Sequence, residues 1–199
     1  GSGKTTLCLQ FLAAGKEEGN KTLFISFGER EARIRENAPH LLDLSDIQFL
    51  DLSPPPSAFT SEETYDVFAS AEVEGQPVIE AVRTAVEEIK PERVVIDSMT
   101  HMRYLSADAY QYRKHVLGLI HFLMDHNATI LFTSESTSPE QDEELAFISD
   151  GVIELSAFQH ARQLSIPKLR GSSVSHGPHT YLLDDNGINI APRLRSSEH

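Results

Sequence analysis

The chain has little cysteine, little positive charge and no long apolar run, and each shortage excludes a class of protein. Its single cysteine, Cys8, cannot form a disulfide within the chain or a cysteine-based zinc cluster, and it fits a reducing compartment. Asp and Glu number 30 against 17 Lys and Arg, a net charge of −13, whereas broad binding to nucleic acids or membrane surfaces needs a positive patch. The longest apolar stretch, 116–124, is interrupted by His121 and is too short to span a bilayer. We therefore expect a cytoplasmic protein that binds neither membranes nor, broadly, nucleic acids.

The remaining composition is that of one globular α/β domain. The 199 residues are 40% apolar and 24% charged, which is ordinary for a globular protein. Strand and helix patterns alternate up to about residue 149, as is typical of a mostly parallel sheet flanked by helices. Beyond that point apolar and polar residues alternate, and Asp185-Asn186-Gly187 predicts a hairpin turn. We predict a single RecA-like domain over 1–199, whose parallel sheet is extended at one edge by antiparallel strands in 150–195.

A short polar run at the start of the chain predicts a phosphate-binding loop. It reads Gly1-Ser2-Gly3-Lys4-Thr5-Thr6. The full motif is Gly, four residues, then Gly-Lys-Ser/Thr, so we expect the start of the loop and the strand before it to be missing from this chain. In such a loop the backbone N–H groups attract phosphate, the lysine reaches the β- and γ-phosphates, and the Ser/Thr hydroxyl, here that of Thr5, binds Mg²⁺. The alternative interpretation is a flexible Gly-Ser-Gly linker before an ordinary helix.

A second nucleotide element is predicted where the apolar strand 93–97 ends in Asp97. In phosphate-loop ATPases the carboxylate at the end of such a strand orients Mg²⁺, usually through a water molecule. Any strand can end in Asp at a turn. The combination of Asp97 with Lys4 and Thr5 is therefore what favours a Mg²⁺ site.

The order of motifs along the chain resembles that of one ATPase family. After the loop come Phe27-Gly28-Glu29, Val94-Val95-Ile96-Asp97-Ser98, Thr133-Ser134-Glu135 and Lys168-Leu169-Arg170-Gly171-Ser172. This order is similar to the KaiC-like branch of the RecA superfamily over nearly the whole chain, and the Lys-x-Arg-Gly-Ser/Thr element is its most specific part. The resemblance implies an ATPase that binds ATP or ADP with Mg²⁺. It further implies a homohexameric ring with nucleotide between neighbouring subunits, and a protein signalling partner.

Lys168 and Arg170 are the basic residues of the late motif. The resemblance implies that they reach the γ-phosphate of ATP bound by the adjacent subunit, as an arginine finger does. Residues at i and i+2 of a strand point to the same face, which suits a clamp and also an ordinary solvated face. An edge strand is poorly placed to fold back over its own phosphate loop. In a chain of net charge −13 we therefore expect the two charges to be compensated only across an interface.

Two positions depart from the family pattern. Family members carry two adjacent glutamates after the second strand's aromatic residue, and the first is the one usually assigned to activating water. Here that position is Gly28, and Glu29 matches the second glutamate. Either Glu29 takes over or hydrolysis is slow, and Glu29 is alternatively an ordinary first-turn helix residue. In the domain of the family that phosphorylates itself, adjacent Ser and Thr precede the strand that starts near Ser149-Asp150. The matching positions here are Ala146 and Phe147, which have no hydroxyl, so autokinase activity at these positions is unsupported.

Two other functions on the same core are alternatives: a RecA- or helicase-like DNA motor, and a nucleotide-binding scaffold that does not hydrolyse. A DNA motor lines its channel with Lys and Arg, whereas 135–144 contains five acidic residues and no basic one. We therefore expect DNA not to be a ligand. Glu29 is what separates an ATPase from a scaffold. His101, with Arg103 and Tyr104, follows the Asp97 strand. These residues either line the nucleotide or the ring channel, or are ordinary loop residues.

Overall fold

The computed structural model describes residues 1–53, 71–104, 106, 108–135, 145–158, 161–174 and 177–192. The chain divides into two compact units. One consists of 1–10, 39–42 and 136–199, and the other of 11–38 and 43–135. We call them the antiparallel unit and the parallel unit, after the sheet that each contains.

Helices and strands alternate through the first two thirds of the chain, as the sequence predicts. Within the described residues the helices are α1 (Lys4–Glu17), α2 (Glu31–Glu36), α3 (Ala71–Ile89), α4 (Met99–Tyr104) and α5 (Ala109–Asp125). The strands there are β1 (Thr22–Ser26), β2 (Gln48–Asp51), β3 (Arg93–Asp97), β4 (Thr129–Phe132), β5 (Gly151–Phe158), β6 (Ala161–Leu169), β7 (His179–Asp184) and β8 (Gly187–Ala191). None of the described helices combines the length and the apolar character that crossing a bilayer requires.

The parallel unit contains a four-stranded parallel sheet in the order β2-β1-β3-β4. All five residues of β1 are buried, and Val94, Val95 and Ile96 of β3 are fully inaccessible. Continuous apolar runs of this kind are typical of parallel strands covered on both faces. The register pairs Ser26 with Asp97, so the carboxyl ends of β1 and β3 lie level with each other.

Carboxylates fix the starts of two helices in this unit. Asp108 accepts a hydrogen bond from the backbone N–H of Gln111 (2.8 Å) and caps α5. The start of α2 is capped from outside the helix, because Asp51 at the end of β2 accepts from the N–H of Glu31 (3.1 Å). Burial raises the pKa of Asp51, but hydrogen bonds from Ser53 and Glu31 outweigh it and hold that pKa below its usual value.

The antiparallel unit contains β5, β6, β7 and β8, paired in sequence order. The predicted hairpin is confirmed: Asp185 and Asn186 form the turn between β7 and β8, and Gly187 follows with a φ of +101°. The sequence predicts these strands as an extension of the parallel sheet, whereas in the described residues they form a separate sheet. They form their own sheet because each strand hydrogen-bonds to the next one along the chain.

Candidate functional site

The residues of the predicted phosphate loop lead directly into α1. Gly3 has a φ of +90°, a left-handed conformation that glycine adopts at little cost. Its carbonyl accepts the first helical hydrogen bond, from the N–H of Leu7 (2.9 Å). Lys4, Thr5 and Thr6 then form the first turn of the 14-residue helix. The N–H groups of a first helical turn are not used inside the helix and carry the positive end of its dipole.

Two side chains of the antiparallel sheet hold the carbonyl groups of the loop. Arg162 donates from Nη1 to the carbonyl of Gly1 (2.7 Å), and the hydroxyl of Tyr181 donates to the carbonyl of Ser2. The C=O and N–H of a trans peptide point in opposite directions. Holding these carbonyls on the sheet therefore turns the N–H groups of Ser2 and Gly3 away from it, as phosphate binding requires.

The first half of α1 is bound to the β7–β8 hairpin by Gln10. Its Oε1 accepts from the N–H of Ile188 (2.7 Å), and its Nε2 donates to the carbonyls of Ile188 and Asn186 (both 3.3 Å). Together with the bonds from Arg162 and Tyr181, these contacts connect the antiparallel sheet to the loop of its own chain. The expectation that this part of the chain is poorly placed to reach that loop is therefore wrong.

Asp97 lies at the end of β3, as predicted, where three strand ends are connected. Its Oδ1 accepts a hydrogen bond from Oγ1 of Thr133 (2.5 Å), the residue that follows β4. Its backbone carbonyl accepts from the N–H of Phe27 (3.0 Å), the residue that follows β1. Thr133 is buried, so this bond fixes the orientation of the carboxylate.

Each of the two units contains groups whose chemistry suits a nucleotide or its metal ion. Lys4 has an ammonium group, which suits phosphate, and Thr5 has a hydroxyl; both residues belong to the antiparallel unit. Asp97, in the parallel unit, supplies a carboxylate. Mg²⁺ prefers oxygen ligands and commonly retains water, and a hydroxyl and a carboxylate are both ligands of this kind.

Glu29, the candidate base, directs its carboxylate towards residues of its own helical segment. Oε1 lies 3.3 Å from Nε of Arg33 and accepts from Nδ2 of Asn37 (3.4 Å). The side chain is 42% exposed. These are contacts of a residue at a helix start, and a catalytic role for Glu29 stays a prediction.

His101 lies against Gly28, the position where the family pattern has its first glutamate. It belongs to the short helix α4 and is therefore not a loop residue. A Cβ atom placed on Gly28 would come within 2.6 Å of Cε1 and Nε2 of the imidazole. The Nδ1 atom is in hydrogen-bond contact with Oγ of Ser98 (3.0 Å).

Lys168 and Arg170 contact their own chain. Lys168 donates to the carbonyls of Ala146 (2.7 Å) and Phe147 (3.2 Å), and Nη2 of Arg170 donates to the same carbonyl of Phe147 (3.3 Å). Arg170 also pairs with Asp150 (3.2 Å). The two side chains thus reach one face. The expectation that the charge finds a partner only across an interface is wrong for Arg170, because Asp150 compensates it within the chain.

The acidic segment 135–144 lies outside the described residues apart from Glu135. The N–H of Glu135 donates to Oγ1 of Thr100 (3.0 Å). The interpretation of this segment as one that repels DNA therefore stays a prediction.

Comparison with known proteins places the chain in a family. It matches the family model described as "ATPase: KaiC" over residues 1–195. It is 30% identical to the circadian clock oscillator protein KaiC of Parathermosynechococcus lividus, over 96% of this chain and 37% of the relative. The identity to KaiC of Synechococcus elongatus is also 30%, over 96% of this chain and 38% of the relative. The chain thus spans less than half the length of these curated relatives. With a family model matching nearly its whole length, the chain belongs to the KaiC ATPase family.

Proposed function

We propose that this chain binds ATP or ADP with Mg²⁺ and slowly hydrolyses ATP, as a regulatory ATPase. The observation that carries nucleotide binding is the loop itself. Gly3 turns the chain into α1, and Arg162 and Tyr181 hold the loop carbonyls so that the N–H groups point away from the sheet. Membership of the KaiC family supports the same conclusion.

Each group of the site has a separate role in this proposal. Backbone N–H groups of the loop, Gly1 to Thr6, surround the phosphates, and the Lys4 ammonium neutralises the β- and γ-phosphates. The Thr5 hydroxyl binds Mg²⁺, and Asp97 holds it through a water molecule. A Mg²⁺ ion held by Thr5 and Asp97 would supply positive charge that neutralises the negative charge developing on the phosphates.

Lys168 and Arg170 act, in this proposal, on ATP bound by a neighbouring subunit of a homohexameric ring. The Arg170–Asp150 pair is well exposed, at 56% and 76% of the two side chains. Exposed ion pairs contribute only about 0–1 kcal/mol. Arg170 therefore loses little by leaving Asp150 for a γ-phosphate that a neighbour presents.

The output of the ring is proposed to be a signal to a protein partner. The curated relatives are named circadian clock oscillator proteins, and a signalling role fits such a name. The acidic segment 135–144 does not suit a channel for DNA.

The test of nucleotide binding is a titration with fluorescent mant-ADP and Mg²⁺. The wild-type chain is expected to bind saturably, and Tyr181→Phe to bind about fivefold more weakly. The variant keeps the buried ring but deletes a bond to Ser2 worth about 1 kcal/mol. Part of the binding free energy of mant-ADP is then needed to order the loop, which lowers the affinity. Ser165→Ala is the matched control, because it removes a hydroxyl bond to Glu154 (3.1 Å) elsewhere in the same sheet.

Absence of saturable binding by the wild-type chain would contradict the proposed function. Equal affinities of the wild-type and Tyr181→Phe chains would show instead that the hydroxyl of Tyr181 does not prepare the loop.

A further inference from the structure

His101 and Gly28 lie together at the carboxyl ends of two paired strands. Gly28 follows β1, His101 follows β3, and the register places the ends of these strands level. A Cβ on Gly28 would be 2.6 Å from two ring atoms of His101. Real Cβ atoms essentially never come closer than 3.0 Å to another heavy atom of this kind. The imidazole therefore fills the space that a side chain at position 28 would take.

The ring of His101 is held in this place by a hydrogen-bond contact. Its Nδ1 lies 3.0 Å from Oγ of Ser98, a buried residue directly after Asp97. A bond to one ring nitrogen sets the orientation of an imidazole. The His101 side chain is nevertheless exposed, so solvent and ligands have access to it.

This edge of the sheet is where ligands of open α/β folds bind. It also contains Asp97, oriented by its bond from Thr133 (2.5 Å). The imidazole of His101, a group that can accept a proton, thus lies next to Ser98. Ser98 directly follows Asp97, the carboxylate that we propose holds Mg²⁺.

Glu29, the residue next to Gly28, has its carboxylate engaged by other side chains. The carboxylate of Glu29 contacts Arg33 (3.3 Å) and Asn37 (3.4 Å), and would have to leave both to act on a nucleotide. Gly28 has no side chain. Among the described residues that follow β1 and β3, His101 is the one whose ring fills the space over Gly28.

We propose that His101 is a catalytic residue that orients the attacking water and accepts its proton; this role rests on the proposed function. The water oxygen forms a bond to the γ-phosphorus while the bond from that phosphorus to the β–γ bridging oxygen breaks, and ADP leaves with the electron pair. One water proton passes through His101 to solvent, and the other stays on the phosphate product. Histidine is the side chain that most often accepts a proton in catalysis.

The first test compares His101→Ala with His121→Ala, a change of an exposed histidine on α5. Phosphate release at saturating MgATP is expected to fall about 100-fold or more in His101→Ala, the usual size of a general-base contribution. The Kd for mant-ADP is expected to stay within about twofold, since ADP lacks the reacting phosphate. His121→Ala is expected to match the wild-type chain in both measurements.

The second test moves the ring without deleting it. In Gly28→Ala the new Cβ displaces the imidazole, so turnover is expected to fall and the NMR resonance of the His101 Cε1 proton to shift. The melting temperature is expected to change little, because the nearest atoms that the new Cβ meets belong to the ring of an exposed side chain. In the double variant Gly28→Glu/His101→Ala a carboxylate enters the vacated space, and turnover is expected to exceed that of His101→Ala.

The outcomes separate this role from the proposed function. Unchanged turnover in His101→Ala, or equal losses of turnover and ADP affinity, would overturn the catalytic role of His101. So would a loss of turnover in Glu29→Gln that His101→Ala does not share. A wild-type chain that neither binds nor hydrolyses nucleotide would contradict the proposed function and this role with it.

Discussion

Lys4→Ala is expected to abolish the thermal stabilisation of the chain by MgATP. A ligand at about 100 times its Kd adds about 2.7 kcal/mol to the free energy of unfolding. For a chain of this size each kcal/mol raises the melting temperature by about 2–4 °C, so MgATP should raise it by about 5–10 °C. Removing the ammonium that neutralises the phosphates removes most of this shift. Thermal scans with and without MgATP measure it.

Lys16→Ala is the matched control for this experiment, since it lies near the other end of the same helix. Its ammonium pairs with Asp43 (2.5 Å) and Asp46 (3.2 Å). The variant is expected to keep the full MgATP-induced shift, whatever its own melting temperature. An equal shift in Lys4→Ala and the wild-type chain would show that the loop does not bind nucleotide.

Arg170→Ala is expected to lower turnover by about 10³-fold or more, as removal of an arginine finger does, while mant-ADP binding is kept. Mixing Arg170→Ala chains with Lys4→Ala chains is expected to restore part of the activity. Some interfaces then combine an intact loop from one chain with an intact Arg170 from the other. Phosphate release by each variant and by the mixture measures this.

The control for that experiment is Arg83→Ala, which removes an arginine of similar exposure, 57%, that pairs with Glu87 on α3. It is expected to leave turnover unchanged. Mixtures as inactive as each parent, together with a wild-type chain active as a monomer, would show that Arg170 does not act in trans.

The parallel core was predictable because its sequence signals are local. The apolar run Val94-Val95-Ile96 is typical of a buried parallel strand, and Asp97, which follows it, then lies at the carboxyl edge of the sheet. The hairpin over β7 and β8 was equally local, since Asp185-Asn186-Gly187 contains both the turn residues and the glycine with positive φ.

The contacts that hold the site were not predictable, because they join distant parts of the chain. Tyr181 reaches Ser2 across 179 positions, and Arg162 reaches Gly1 across 161. No periodicity or motif records such pairs. The bond from Thr133 to Asp97 likewise depends on the pairing of β3 with β4. The sequence identifies Thr133 as part of a family motif but does not show which residue it contacts.

The partners of Arg170 and Glu29 show two different degrees of difficulty. Arg170 meets Asp150 because the β5–β6 register pairs Gly151 with Leu169, and register was not available from the sequence. The Glu29–Arg33 pair, in contrast, has the i, i+4 spacing of a helical ion pair, and this spacing could have indicated that the carboxylate of Glu29 is engaged.

Phosphate release per chain at saturating MgATP, followed from nanomolar to tens of micromolar chain, tests most directly whether ATP is hydrolysed between subunits. If Lys4 of one chain and Arg170 of the next complete each site, turnover per chain rises steeply with concentration and reaches a plateau when assembly is complete. Turnover per chain that is constant over the whole range, or no phosphate release at any concentration, would contradict an interface ATPase.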